Sequence, residues 1–136
     1  MKMFCNFFAK PNFGLLLLRI LLGAMMVMHG VPKFLGGSAL LTEIGQKMAV
    51  LGITFAPLFW GFCAALLETL GGVLLVLGFL FRPTALLFVF MFTVNAYYLC
   101  NTGADFLNAT AYPLEMAIVF LGLLFIGPGK LSVDKE

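Results

Sequence analysis

A single histidine, His29, stands one helical turn before Lys33 in the stretch MMVMHGVPKF, and Arg19, Glu68 and Glu115 also interrupt runs that are otherwise apolar. In hydrocarbon each such group costs on the order of 2.5–3.5 kcal/mol if it faces lipid, so each is expected to turn inward and find a partner. Histidine titrates near neutral pH and a carboxyl group out of water resists ionisation, so a His29–Glu68 pair could hold and pass protons beside a pocket. The same pair could equally be a clamp, with His29 donating to Glu68 and Arg19 balancing the remaining charge. Glu115 could pair with Lys33, or join the pocket with Asn95 and the tyrosines.

Those residues need two helices that bring them level. At about 1.5 Å of rise per residue, His29 lies roughly 22 Å into the first apolar run, and Glu68 lies roughly 20 Å in when counted back from Arg82. At about 100° per residue, Arg19, Gly23, Met26, His29, Gly30 and Lys33 share an arc of roughly a third of the circumference, and the second run groups Gly61, Ala64, Glu68, Gly71, Gly72 and Leu75. Small residues let membrane helices approach closely, and polar groups beside them can bond across the gap. The two faces are therefore expected to meet.

The elements follow from a chain of 136 residues that is 62% hydrophobic and 10% charged. Mean hydropathy is +1.10. Soluble domains carry about 45–50% apolar and 25% charged residues, so this is an integral membrane protein with an all-α fold. Four spans of about 20 residues use nearly the whole length as one domain. They are expected near 13–35, 57–80, 83–100 and 112–128, forming a four-helix bundle. The first run is longer than a signal h-region and contains Arg19, so it reads as a retained span. SALLTEIGQKMAVLG, between spans 1 and 2, spaces its apolar residues as a helix lying in the interface. RPT at 82–84 reads as a tight turn, and NTGADFLNAT as a polar loop.

With four spans, Lys2, Lys10, Arg82, Lys130 and Lys135 fall on one side, against Lys33 and Lys47 on the other. The positive-inside rule makes the richer side cytoplasmic, with both termini there. The scattered basic residues resemble no nucleic-acid arm. Cys5, Cys63 and Cys100 form no paired motif and read as buried, inert thiols. One histidine excludes bis-histidine haem within one chain, and no metal site is expected.

The ordered set RILLG at 19–23, HGVPK at 29–33, ETLGG at 68–72, GFLFR at 78–82, Glu115 and GPGKLSVD at 127–134 resembles the DoxX family of small four-helix membrane proteins. The resemblance implies a bacterial inner-membrane location and an association with redox and sulfur or oxidant metabolism. Its pattern positions are Arg19, His29, Lys33, Glu68, Gly71, Gly72, Arg82 and Glu115. Three functional readings follow. The first is a redox-associated subunit binding a quinone-like lipophile near His29 and Glu68, with Arg19, Lys33, Asn95 and Glu115 as further binding or relay candidates. The second is a non-catalytic scaffold for another membrane protein, or a homo-oligomer, in the bilayer. The third is a small-solute or proton transporter, for which four spans are few and no inverted repeat is evident.

Overall fold

The computed structural model describes residues 1–134; Lys135, counted above with the basic side, lies outside the described residues. The described chain is helical with no strand: α1 Lys2–Phe8, α2 Pro11–Leu35, α3 Gly37–Gly45, α4 Pro57–Leu77, α5 Phe81–Asn101 and α6 Ala111–Ile126. A 3-10 turn, Gln46–Leu51, extends α3, and a wide π turn, Phe106–Thr110, leads into α6. Four helices are long and apolar enough to cross a membrane: α2, α4, α5, and α6 with its preceding turn, Phe106–Ile126.

Three expected boundaries move, each for a local reason. Proline is tolerated in a helix's first turn because its missing N–H would have no partner there, so Arg82-Pro83-Thr84 begins α5. The reversal is at residues 78–80, where Gly78 (φ +68°) ends α4 in the left-handed region. Residues Phe106–Thr110 join the last span and are no loop. Pro113 has no N–H for the carbonyl four residues earlier, and the helix widens just before it. The expected interfacial helix breaks at Gly45 and packs directly on α4. A Cβ on Gly45 would run into the Pro57 carbonyl, and one on Gly61 into the Leu41 carbonyl.

Helix α2 lies along α4, α3 lies on α4, and α5 pairs with α6. The α2–α4 seam is built on glycine: a Cβ on Gly23 would sit 2.5 Å from the Gly72 oxygen, and one on Gly72 would sit 2.6 Å from the Gly23 oxygen. The core between the two helix pairs is aromatic. Phe88 and Phe120 stack with centroids 4.5 Å apart, Phe92 lies 5.8 Å from Phe120, and Met26, Leu75 and Leu123 close around them.

At the end of the bundle that holds both termini, Arg19 is 1% exposed. Its guanidinium donates to the Leu75 and Val76 carbonyls at 3.1 and 2.8 Å, and to the Pro128 and Leu131 carbonyls at 2.9 and 2.8 Å. The last carbonyls of a helix have no intrahelical donor, and a cation there also meets the negative end of the helix dipole. Arg19 thus caps α4 and ties down the C-terminal segment. Asp134 completes the closure, its carboxylate accepting the Phe81 N–H at 2.9 Å. The expectation that Arg19 balances charge around His29 and Glu68 is therefore corrected.

Candidate polar pocket

Helices α2 and α4 are antiparallel neighbours, and α-helical side chains lean toward their own N-termini. Lys33, one turn beyond His29, therefore leans back along α2, while Glu68 leans the opposite way along α4. Their heads meet: Lys33 Nζ lies 2.6 Å from both Glu68 carboxylate oxygens. Lys33 keeps 28% of its side-chain exposure and Glu68 only 6%. Lys33 donates a hydrogen bond to Oε1, whereas Oε2 has the ionic contact without an aligned donor.

This pair forms part of the wall of a cavity of about 590 Å³ enclosed by α3, its 3-10 extension, α4 and α5. Trp60, Leu67, Phe90, Phe92 and Met91 make most of the lining apolar. Its other polar groups are Lys47, Asn95 and the exposed Glu43. Lys47 Nζ donates to Asn95 Oδ1 at 2.8 Å and lies 5.8 Å from the centre of the Tyr98 ring. Asn95 and Tyr98 sit three residues apart on α5 and so share a face. Burial holds the Lys47 ammonium below the usual lysine range, and the neighbouring Lys33 charge adds to this against the opposing pull of Glu43 and Glu68. An apolar cavity with a few convergent polar groups is the general form of a small-ligand site.

The expected residues divide sharply. Glu68, Lys33 and Asn95 come together at the cavity. His29 does not: it is exposed, absent from the cavity lining, and makes no hydrogen bond or ion pair among the described residues. Taking Arg19 as zero on the wheel, the buried positions Arg19, Gly23, Met26 and Gly30 centre near it. Lys33 falls about 40° to one side and His29 about 80°. The His29–Glu68 contact is thus replaced by Lys33–Glu68. Glu115 is also exposed and off the lining, and it joins neither Lys33 nor Asn95.

Gly71 and Gly72 are buried in packing, Gly71 against the Phe88 ring. Arg82 donates to the Leu124 and Phe125 carbonyls at the end of α6. The thiols are less hidden than expected, since Cys5 and Cys100 are exposed and Cys63 lines the cavity. Lys47 was missed as a site residue; its four-residue spacing from Glu43 on an amphipathic segment reads as an ordinary surface pattern.

The DoxX family model matches residues 14–101. The inner membrane protein YphA of Escherichia coli is 30% identical over 130 residues, covering 90% of this chain and 89% of that protein. The E. coli inner membrane protein YqjF is 31% identical over 124 residues, covering 90% of each. A Bacillus subtilis protein named "Putative oxidoreductase CatD" is 26% identical over 121 residues, covering 89% of this chain and 84% of that protein. No solved structure matches. With four apolar helices in the same chain, these matches identify a multi-pass inner-membrane protein that belongs to the DoxX family.

Proposed function

We propose that the chain is a redox-associated inner-membrane subunit that binds a small quinone-like lipophile in the cavity between α3, α4 and α5. The observation that carries this reading is a buried carboxylate, Glu68, held by Lys33 at the wall of a mostly apolar 590 Å³ cavity. Ionisable groups kept within a membrane bundle are functional candidates by default, because they are costly to retain. The name borne by the B. subtilis relative supports a redox association. A quinone-type ligand has an apolar ring that suits the aromatic lining and carbonyl oxygens that suit the Lys33 and Lys47 ammonium groups. When bound, such a group supplies two-electron redox chemistry. The chain's part is to surround the ring with apolar side chains, orient its oxygens, and keep the Lys33–Glu68 ion pair beside them.

The orientation that accompanies this reading has both termini in the cytoplasm, supported by Lys2, Lys10, Arg82 and Lys130 at one end of the bundle. The polar end of the cavity, with Lys33 and Lys47, then faces the outer leaflet.

Native mass spectrometry of the protein gently extracted from its own membrane tests the reading. A bound quinone or similar lipophile, lost in Glu68→Gln, supports it. A ligand-free chain, or one that travels only with a second polypeptide, rejects it in favour of a scaffold.

A further inference from the structure

The cavity lining carries two ammonium groups and two carboxylates, but only one cation and one anion pair directly. Lys33 and Glu68 neutralise one another at 2.6 Å. Lys47 has no carboxylate within ion-pairing distance among the described residues; its contacts are a neutral amide oxygen and an aromatic face. Glu43, one turn earlier on α3, is exposed at the rim and makes no ion pair with it.

Asn95 adds to the unmatched donors. An ammonium has only donors, so the amide must offer Lys47 its oxygen. Its NH₂ group is left over, and it makes no hydrogen bond among the described residues. The polar end of the cavity thus presents a cation and an amide donor, while the Glu68 carboxylate is already engaged and Glu43 stands exposed at the rim. A half-buried cation without a direct ion pair is costly, and a ligand that supplies one recovers part of that cost.

We propose that the cavity selects a lipophile bearing one anionic oxygen group, seated with that oxygen on Lys47 and Asn95 and its apolar body against Trp60, Phe90 and Met91. The inference rests on the lipophile-binding reading and narrows it. It assigns Lys47, which lies on the strap between spans 1 and 2, the task of choosing anionic over neutral head groups. The lowered proton affinity of Lys47 agrees: burial, and then the Lys33 charge, outweigh the pull of Glu43 and Glu68, neither of which pairs with it directly.

Trp60 is the chain's one tryptophan and lines the cavity, so its fluorescence reports occupancy. The full chain in lipid nanodiscs is titrated with two probes of nearly equal shape: a hydroxynaphthoquinone whose ring hydroxyl is ionised at neutral pH, and the neutral parent naphthoquinone. The expected result is saturable quenching by both. Lys47→Gln weakens the ionised probe by about tenfold or more, as loss of a charge-assisted hydrogen bond implies. The same substitution weakens the neutral probe far less, since glutamine can still donate to a carbonyl oxygen, and Lys47→Arg restores the ionised one.

Competition separates the two sources of such an oxygen. Displacement by oleate and not by oleyl alcohol extends the site to carboxylates, and displacement by neither confines it to ring oxygens. Saturable quenching that Lys47→Gln alters equally for both probes, or for neither, overturns the inference while leaving lipophile binding intact. Absence of saturable quenching by either probe overturns both. Glutamine can still donate to Asn95 and removes the unpaired charge, so Lys47→Gln is expected to fold with an unfolding midpoint no lower than the parent's.

Discussion

Glu68 has its charge met by one ammonium, so removing that ammonium strands a buried carboxylate. Breaking such a pair from one side costs about 3–5 kcal/mol. Lys33→Met is therefore expected to destabilise the protein by about 3 kcal/mol in detergent-unfolding titrations, while Lys33→Met combined with Glu68→Leu recovers most of that loss. His29→Ala, by contrast, is expected to leave both the unfolding midpoint and quenching by a naphthoquinone unchanged, because the ring has no partner among the described residues.

Lys47 makes the residue scale pH-dependent. The groups facing it are Lys33, Glu43, Glu68 and the Tyr98 ring. Its folded value is lowered, so between that value and the ordinary lysine value the unfolded chain holds more protons than the folded one. Stability from this group thus rises with pH across that window. Affinity for an anionic probe should fall across the same window as the ammonium discharges. Parallel titrations of unfolding midpoint and probe affinity, moving in opposite directions in the parent and flat in Lys47→Gln, check the sign.

At the scale of elements, the governing feature is how closely the backbones approach. Glycine at 23 and 72 lets α2 and α4 touch main chain to main chain, and Gly45 and Gly61 do the same for α3 and α4. Filling such a contact forces the helices apart, and overpacking costs about 1–3 kcal/mol. Gly72→Ala is expected to destabilise by that amount, whereas Gly122→Ala, where an added Cβ meets nothing within 4 Å, is expected to cost nothing. Circular dichroism during detergent unfolding distinguishes them. Because Lys33 and Glu68 sit on this same seam, Gly72→Ala should also weaken binding at the cavity.

The whole molecule is a bundle clasped at one end and hollow toward the other. Arg19 gathers the end of α4 and the C-terminal segment into one closure, and Asp134 fastens the start of α5 to it. The cavity lies along the N-terminal half of α4, away from the clasp and under the strap of α3. With an odd number of spans between them, the exposed thiols Cys5 and Cys100 fall on opposite sides of the membrane. In intact spheroplasts a membrane-impermeant maleimide is expected to label Cys100 and to reach Cys5 only after lysis. The reverse pattern would invert the orientation and place the polar end of the cavity on the cytoplasmic side.

Hydropathy by itself determined four spans, the all-α class and the identity of the small-residue faces on α2 and α4, because burial in lipid acts on each segment separately and leaves its mark in local periodicity. Proline and glycine were harder to place. Pro83 reads as part of a tight turn, but proline also suits a helix's first turn, and the reversal at residues 78–80 puts it there. The site was half legible: Glu68, Lys33 and Asn95 could be singled out as polar groups in apolar helices. Which of them touch was decided by tertiary structure, since a 40° difference around α2 and the opposite lean of side chains on antiparallel helices give Glu68 to Lys33 and leave His29 outside. Lys47 was invisible for the same kind of reason. Its environment comes from α5, nearly fifty residues away in sequence, and local sequence carries no record of a partner brought in by the fold.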